Sequence, residues 1–228
     1  MSKKAVVLLS GGLDSATALG VARAGGYETH TLSFDYGQRH KYELSCAKTT
    51  SKIHDAVDHK VVSFTTFGGS ALNDPTIEVP KGRSLDEMTD AIPVTYVPAR
   101  NTIFLSFALS YAEVLGAEAI FTGVNAVDYS GYPDCRPEYI EAYQNMVNLA
   151  TKTTVEGDSI KVYTPLIELT KVDIIRLGTS LDVNYAFTSS CYDPDEYGRA
   201  CGKCDSCLIR LAAFKEAGIE DPIPYQEG

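Results

Sequence analysis

A glycine-containing turn near the start of the chain constrains the possible folds more than any other feature. The turn reads S-G-G-L-D-S at residues 10–15, after an apolar run at residues 5–9 and before a helix-compatible stretch at residues 16–24. An apolar run of this kind is typical of a strand buried on both faces of a parallel sheet. Because the first N–H groups of a helix are unpaired and lie at the positive end of its dipole, we expect this turn to bind an anion.

Phosphate is the anion that this turn suits best. Glycines let the backbone approach a ligand closely, and Ser10 and Ser15 offer hydroxyl donors. The Walker pattern G-x-x-x-x-G-K-[ST] is absent, so the turn lacks the lysine that grips the terminal phosphates during phosphoryl transfer. An ordinary strand-to-helix turn is the alternative interpretation, but the coincidence of strand, motif and helix favours phosphate.

The motif resembles the pyrophosphate loop of the PP-loop (N-type) ATP pyrophosphatases, which include GMP synthetase, NAD synthetase, asparagine synthetase and tRNA thiolases. The resemblance implies a loop that holds the leaving pyrophosphate of ATP while a substrate oxygen attacks the α-phosphorus. Asp14 would then help to place Mg²⁺, an ion that prefers oxygen ligands. The nucleotide-binding residues that the resemblance implies are Leu9, Ser10, Gly11, Gly12, Leu13, Asp14, Ser15 and Ala16.

Apolar strands alternate with helical patterns along the 228 residues, which predicts one α/β domain with a mainly parallel sheet flanked by helices. The strands are predicted at residues 5–9, 29–34, 60–64, 119–122 and 161–163. The helices are predicted at residues 16–24, 42–54, 102–115, 137–149, 171–177 and 205–217. Thr170 and Asn101 are expected to cap helices, and Gly116 and Gly178 are expected to end them. The family resemblance implies the adenine nucleotide α-hydrolase-like, Rossmann-like form of this architecture.

Ligands of parallel sheets bind outside the carboxyl ends of the strands. We therefore expect residues 10–15, 34–40 and 122–134 to surround one cleft.

Residues 65–98 contain glycines, prolines and charges without sustained periodicity. This segment is interpreted as a lid or as a solvated connection, the latter favoured for residues 76–90.

The formal net charge is −10, so a polyanion such as tRNA would be repelled unless a local basic patch overcame the overall field. We therefore expect small-molecule substrates and no direct nucleic-acid partner.

No apolar run approaches the ~20 residues of a membrane helix, and the start of the chain lacks a secretory pattern. These features predict a cytoplasmic protein without a membrane partner.

Four cysteines near the carboxyl end have the spacing of a metal site. Cys191, Cys201, Cys204 and Cys207 form C-x9-C-x2-C-x2-C, and four thiolates can close a tetrahedral zinc site. Since no ligand position would stay open, we expect one structural Zn²⁺ per chain, held by a segment at residues 188–217 within the single domain 1–228. Disulfides and an iron–sulfur cluster are the alternatives.

A second set of motifs narrows the resemblance. The segments T-G-V-N-A-V-D-Y-S-G-Y-P-D-C-R-P at 122–137, F-D-Y-G-Q-R-H at 34–40 and V-P-A-R-N at 97–101, together with the four cysteines, resemble the family of 7-cyano-7-deazaguanine synthases along nearly the whole chain. The resemblance implies a ligase, usually a zinc-containing homodimer, that converts 7-carboxy-7-deazaguanine, ammonia and ATP to a nitrile for queuosine-type tRNA bases. The implied route runs through an adenylated carboxylate, an amide and a second adenylation.

Polar and aromatic residues of these motifs are candidates for binding substrate or for catalysis. Arginines can stabilise phosphate or carboxylate charge, and Asp128 or Asp134 can bind a guanine-like edge or take a proton from ammonia. Tyr129 or Tyr132 can stack on the heterocycle. The candidates are Gln38, Arg39, Arg100, Asn125, Asp128, Tyr129, Tyr132, Asp134 and Arg136.

Two other functions compete with this interpretation. A tRNA thiolase would use the same adenylation chemistry, with Cys201 and Cys204 as a redox pair, but the acidic charge and short chain disfavour it. A zinc-ribbon module that binds nucleic acid or protein would leave the loop at residues 10–15 without a role.

Overall fold

The computed structural model describes residues 2–84, 88, 91–127 and 131–227. The strands are β1 (Lys4–Leu8), β2 (Glu28–Asp35), β3 (Asp58–Ser63), β4 (Ala119–Phe121) and β5 (Lys161–Tyr163). The helices are α1 (Leu13–Ala24), α2 (Tyr42–Ile53), α3 (Arg100–Leu115), α4 (Pro137–Ala150), α5 (Lys152–Val155), α6 (Lys171–Ser180) and α7 (Asp205–Ala217). Short 3₁₀ turns lie at Pro133–Cys135 and Tyr185–Phe187.

The five strands form one parallel sheet in the order β3-β2-β1-β4-β5. The predicted α/β class is therefore confirmed. The chain winds outward from β1 to β3, then crosses back to place β4 on the other side of β1. The strand order reverses between β1 and β4, and such a reversal opens a crevice at the carboxyl ends of the two strands.

Alternate side chains of β1 enter two different clusters, as the period of a strand requires. Val6 and Leu8 belong to the cluster that includes α3 and α4, whereas Ala5 and Val7 belong to the cluster that includes α1. Both faces of the strand are thus covered, which explains why its sequence is almost entirely apolar. A further cluster joins α1 to α6 and α7.

Two of the four predicted helix ends are confirmed. The Thr170 hydroxyl accepts a hydrogen bond from the backbone N–H of Asp173 at 3.2 Å and caps α6. Gly116 has a φ of +63° and ends α3 in the left-handed conformation.

The other two predicted helix ends are wrong, and tertiary contacts explain both. Gly178 lies inside α6, where a Cβ would come within 1.8 Å of the Tyr185 hydroxyl. Asn101 lies inside the first turn of α3, and its amide donates to the Asp134 carbonyl and to Cys135 Sγ instead of capping the helix.

The irregular segment at 65–98 is attached to the protein at several points. Its Leu72 carbonyl accepts from the Arg39 N–H at 3.0 Å, and the Gly82 N–H donates to the Lys203 carbonyl at 2.8 Å. An ion pair joins Arg83 to Asp205. Residues 82 and 83 of the expected solvated connection thus contact the cysteine-rich segment at residues 188–217. Among all the residues that the structure describes, no helix is long and apolar enough to span a membrane.

Candidate active site and metal centre

A cleft of about 300 Å³ opens at the carboxyl ends of β1, β2 and β4. The three loops that the sequence analysis expected to meet all contribute to its wall. The predicted residues that line the cleft are Leu9, Ser10, Gly12, Leu13, Asp14, Ser15, Gln38, Arg39, Arg100, Asn125 and Tyr132. Asp128 and Tyr129 lie outside the described residues.

Hydroxyl and backbone groups give the loop at residues 10–15 its shape. The backbone N–H and the hydroxyl of Ser10 both donate to Ser15 Oγ, at 3.2 and 3.1 Å. Ser15 Oγ in turn donates to the Gly12 carbonyl at 2.9 Å. Gly12 is the N-cap of α1 and provides no side-chain cap, and its own N–H donates to Ser10 Oγ at 3.3 Å. Residues 12–15 at the start of this helix line the cleft.

Gly11 is required by the backbone conformation of the loop. Its φ is +92°, and a Cβ there would lie 2.0 Å from the carbonyl oxygen of Glu43. Both constraints exclude any residue with a side chain. The loop therefore packs directly against the first turn of α2.

Lys171 brings a positive charge to the loop from α6. Its Nζ donates to Asp14 Oδ1 at 2.6 Å, and both residues line the cleft. The turn lacks a Walker lysine in sequence, but the fold supplies a lysine beside it. The sequence analysis missed Lys171 because 157 positions separate it from Asp14.

Gln38 organises the loop that follows β2. It is buried, its Oε1 accepts from the Tyr36 N–H at 2.8 Å, and its Nε2 donates to the Phe34 carbonyl at 3.0 Å. The same Nε2 donates to Glu43 Oε1 at 3.2 Å. Gln38 thus positions the cleft-lining carboxyl of Glu43, a residue that the sequence analysis did not select.

Burial raises the pKa of Glu43 from its usual 4.5 to about 7, although nearby Arg100 and the Gln38 hydrogen bond act in the opposite direction. The cleft therefore holds a carboxyl group that changes charge near neutral pH.

Arg39 and Arg100, two of the arginines that line the cleft, differ in their partners. The Arg39 guanidinium donates to the backbone carbonyls of Asp74, at 2.6 Å, and Ile77, so it also anchors the segment at 65–98. Arg100 begins α3 and lies 6.0 Å from the ring centroid of Phe104. That ring stacks on Phe34 with centroids 4.0 Å apart, which makes an apolar wall beside the charged groups.

The loop after β4 packs closely on the loop at residues 10–15. A Cβ at Gly123 would lie 2.8 Å from the backbone carbon of Asp14. The Asn125 amide donates to the carbonyls of Leu166 and Leu169, both at 2.7 Å, and so ties this loop to the segment after β5. Tyr132 is buried and shares a 2.7 Å hydrogen bond with Thr95.

The structure does not bring Asp134 or Arg136 to the cleft lining. The Asp134 carboxylate is buried and accepts from the Asn101 N–H at 3.0 Å, so it holds the start of α3. Arg136 is exposed before α4, and its Nε donates to the Pro133 carbonyl. The candidate roles of these two residues on substrate therefore have no geometric support.

The cysteine-rich segment forms one wall of the cleft, which the sequence analysis missed. Ser189, Ser190, Cys191 and Tyr192 line it, and the Ser189 N–H donates to the Gly11 carbonyl at 2.8 Å. This contact joins residues far apart in the chain and gives no local sequence signal.

Arg210 on α7 also lines the cleft and fixes this wall. It is buried and pairs with Asp221 through Nε and Nη2, at 2.8 and 2.9 Å. Its Nη1 donates to Thr188 Oγ1 at 2.9 Å, immediately before the serines.

The four predicted cysteines converge on one point. The Sγ atoms of Cys191, Cys201, Cys204 and Cys207 all lie within 4.8 Å of one another. Backbone N–H groups of residues 193 and 201 donate to Cys191 Sγ, and those of residues 203 and 204 donate to Cys201 Sγ. Such donors stabilise thiolates, and the spacing suits a tetrahedral ion. The residues present therefore fit a metal.

Comparisons with known proteins identify the family of the chain. Residues 4–218 match the family model described as queuosine biosynthesis protein QueC. A protein of Desulfatibacillum aliphaticivorans named 7-cyano-7-deazaguanine synthase is 61% identical over 226 residues, covering 98% of this chain and 97% of that protein. A protein of Cellvibrio japonicus with the same name is 57% identical over 225 residues, covering 98% of each.

The fold is also shared with a distant solved structure. NMN synthetase from Francisella tularensis superposes with a TM-score of 0.50 at 16% identity, over 96% of this chain and 79% of that one. The family match and the close relatives each extend over nearly the whole chain. The chain therefore belongs to the queuosine biosynthesis protein QueC family.

Proposed function

We propose that this chain is an ATP-dependent carbon–nitrogen ligase that converts 7-carboxy-7-deazaguanine and ammonia to 7-cyano-7-deazaguanine. This reaction would be one step in the biosynthesis of queuosine-type tRNA bases. The observation that carries the proposal is the loop at residues 10–15, which lies at the strand-order reversal with the start of α1 facing the cleft. The names of the close relatives supply the substrate class.

The chemistry requires activation because ammonia does not displace an oxygen from a free carboxylate. A substrate carboxylate oxygen attacks the α-phosphorus of ATP, and AMP becomes the leaving group. The backbone and hydroxyl groups of residues 10–15 bind the departing pyrophosphate. Ammonia then gives an amide, and a second adenylation of the amide oxygen allows its loss to form the nitrile.

Asp14 and Lys171 have complementary roles in this scheme. Lys171 is close enough to the loop to neutralise phosphate charge once ATP occupies the cleft. Asp14 offers a carboxylate oxygen to Mg²⁺, which supplies further charge neutralisation when bound.

We propose that the four cysteines hold one structural Zn²⁺. All four ligand positions would be protein thiolates, so the ion would stabilise the segment at 188–217 and take no part in the chemistry. Metal analysis separates this assignment from an iron–sulfur cluster. Loss of metal should disturb the Ser189 contact with Gly11, since that wall of the cleft adjoins Cys191.

We further propose that the chain acts as a single domain, assembles as a homodimer, and works in the cytoplasm on small molecules without binding nucleic acid directly. The net charge of −10 supports the last point. Light scattering after size exclusion measures the mass of the assembly, and a monomer would contradict the proposed dimer.

The proposed reaction is tested without RNA. The protein is incubated with ATP, Mg²⁺, ammonium and 7-carboxy-7-deazaguanine, and the products are identified by mass spectrometry. We expect the nitrile, with AMP and pyrophosphate. ADP and phosphate in place of AMP would contradict adenylation. In a separate incubation with RNA, sulfur transfer to the RNA or salt-dependent RNA binding without ATP turnover would favour a different function.

A further inference from the structure

We propose that Glu43 accepts the proton that the nitrogen nucleophile loses when it attacks the activated carboxyl group. This inference rests on the proposed function and adds a catalytic residue to it. Glu43 lies in the first turn of α2, on an element that carries no residue of the glycine-containing loop.

The position of Glu43 suits a reaction beside the loop. Its backbone carbonyl packs against Gly11, so its side chain starts next to the expected pyrophosphate site. The side chain lines the same cleft as Asp14, Arg100 and Phe104. Glu43 therefore shares the cleft with both the phosphate-binding loop and the aromatic wall, and we infer that the acyl carbon of an adenylated substrate is placed within its reach.

The partners of Glu43 leave its carboxylate available. Of the described residues that line the cleft, Asp14 and Glu43 carry carboxylates. Asp14 forms a direct ion pair with Lys171. Glu43 accepts one hydrogen bond within the described structure, from the neutral amide of Gln38.

The environment of Glu43 gives its carboxylate a pKa suited to a base that works at neutral pH. Burial raises its pKa to about 7, against the opposing effects of Arg100 and Gln38. A base whose pKa lies near the working pH is both deprotonated often enough and basic enough to take a proton. Gln38 fixes the orientation of the carboxylate because its own amide is held by Tyr36 and Phe34.

The proposed step is balanced in atoms and charge. The ammonia nitrogen bonds to the acyl carbon of the acyl adenylate, and AMP leaves with the electron pair of the broken C–O bond. One N–H proton passes to the Glu43 carboxylate, which later releases it to solvent. The products are the amide and AMP, and no oxidant or reductant is needed.

The variant Glu43→Gln tests the step because it keeps the shape of the side chain and removes the basic oxygen. We expect substrate-dependent ATP–pyrophosphate exchange within about threefold of wild type, since adenylation precedes the proton transfer. Amide formation from ammonium should fall by roughly 10²–10⁴-fold. Hydroxylamine, which is largely unprotonated at neutral pH, should be captured with a smaller loss.

Two further variants complete the experiment. Glu43→Asp should recover part of the ammonium reaction, and its pH profile should differ from that of wild type. Glu138→Gln is the matched control, because Glu138 is an exposed carboxylate in the first turn of α4. It should leave both reactions unchanged.

The outcomes separate the inference from the proposed function. Wild-type amide formation by the Glu43→Gln protein would overturn the role of Glu43 and leave the proposed function standing. Loss of exchange in a folded Glu43→Gln protein would also overturn it, by showing that Glu43 acts in adenylation or binding. Absence of exchange in the wild-type enzyme would overturn the proposed function, and this inference with it.

Discussion

Alanine substitutions at Gly11 and Gly12 should affect different properties, stability at Gly11 and ATP binding at Gly12, although the two glycines are adjacent. At Gly11 an alanine must adopt a φ of +92° and place its Cβ 2.0 Å from the Glu43 carbonyl oxygen. The conformation costs about 1–3 kcal/mol, and relieving the overlap costs about 1–3 kcal/mol more. The Gly11→Ala protein should therefore lose at least about 2 kcal/mol of stability.

At Gly12 the backbone is unstrained, because φ is −84° and a Cβ would meet its nearest atom at 3.5 Å. That atom and the next two belong to Ser10, Ser189 and Ser190, which line the cleft. The added methyl group would occupy the space where phosphate oxygens have to approach the backbone. Gly12→Ala should therefore change stability by less than about 0.5 kcal/mol but weaken ATP binding.

Thermal unfolding and calorimetric titration with ATP measure the two effects. We expect Tm of Gly11→Ala to fall by roughly 4–8 °C or more, since 1 kcal/mol shifts Tm by about 2–4 °C in a chain of this size. For Gly12→Ala we expect near-normal Tm and at least about tenfold weaker ATP binding. A Gly12→Ala protein with wild-type ATP affinity would refute the placement of phosphate at this loop.

Four other changes test separate parts of the account. Asp14→Asn should fold but lower pyrophosphate exchange roughly 100-fold, because a ligand for Mg²⁺ is lost; normal exchange would remove Asp14 from the mechanism. Cys201→Ala should lose its bound metal and melt at least roughly 4 °C lower, and retention of full metal content would contradict the zinc assignment. Asp221→Asn leaves buried Arg210 unpaired and should cost about 3–5 kcal/mol in chemical denaturation, whereas wild-type stability would contradict the structural role of the pair. The raised pKa of Glu43 favours the folded state below pH 4.5, and this contribution is lost as the pH rises to about 7. The Tm of Glu43→Gln relative to wild type should therefore increase from pH 4.5 to pH 8, and a difference that stays constant would contradict the shift.

The sheet could be predicted because buried strands carry their own signal. The run at residues 5–9 is apolar since both of its faces are covered, and the observed strand Lys4–Leu8 differs by one residue at each end. The helix Lys152–Val155 was missed because four residues show no periodicity. Gly178 was wrongly predicted to end a helix. A glycine is needed there because Tyr185 packs against the backbone, and this contact is not visible in the local sequence.

The site was predictable where it is local in sequence. The loop at residues 10–15 and the four cysteines between residues 191 and 207 are local motifs, and the structure places the members of each group together. Three other residues line the cleft because their elements pack beside it. Lys171 lies on α6, Glu43 lies on α2, and Ser189 lies in the cysteine-rich segment. No spacing rule connects such residues to the loop, so only the fold identifies them.

Isotope transfer from substrate to nucleotide tests the central claim most directly. The enzyme is given 7-carboxy-7-deazaguanine labelled with ¹⁸O in both carboxylate oxygens, together with ATP, Mg²⁺ and ammonium. If both activations proceed by attack on the α-phosphorus, each AMP released carries one ¹⁸O atom and the pyrophosphate carries none. Label in inorganic phosphate, or unlabelled AMP beside the nitrile, would contradict adenylation in this cleft.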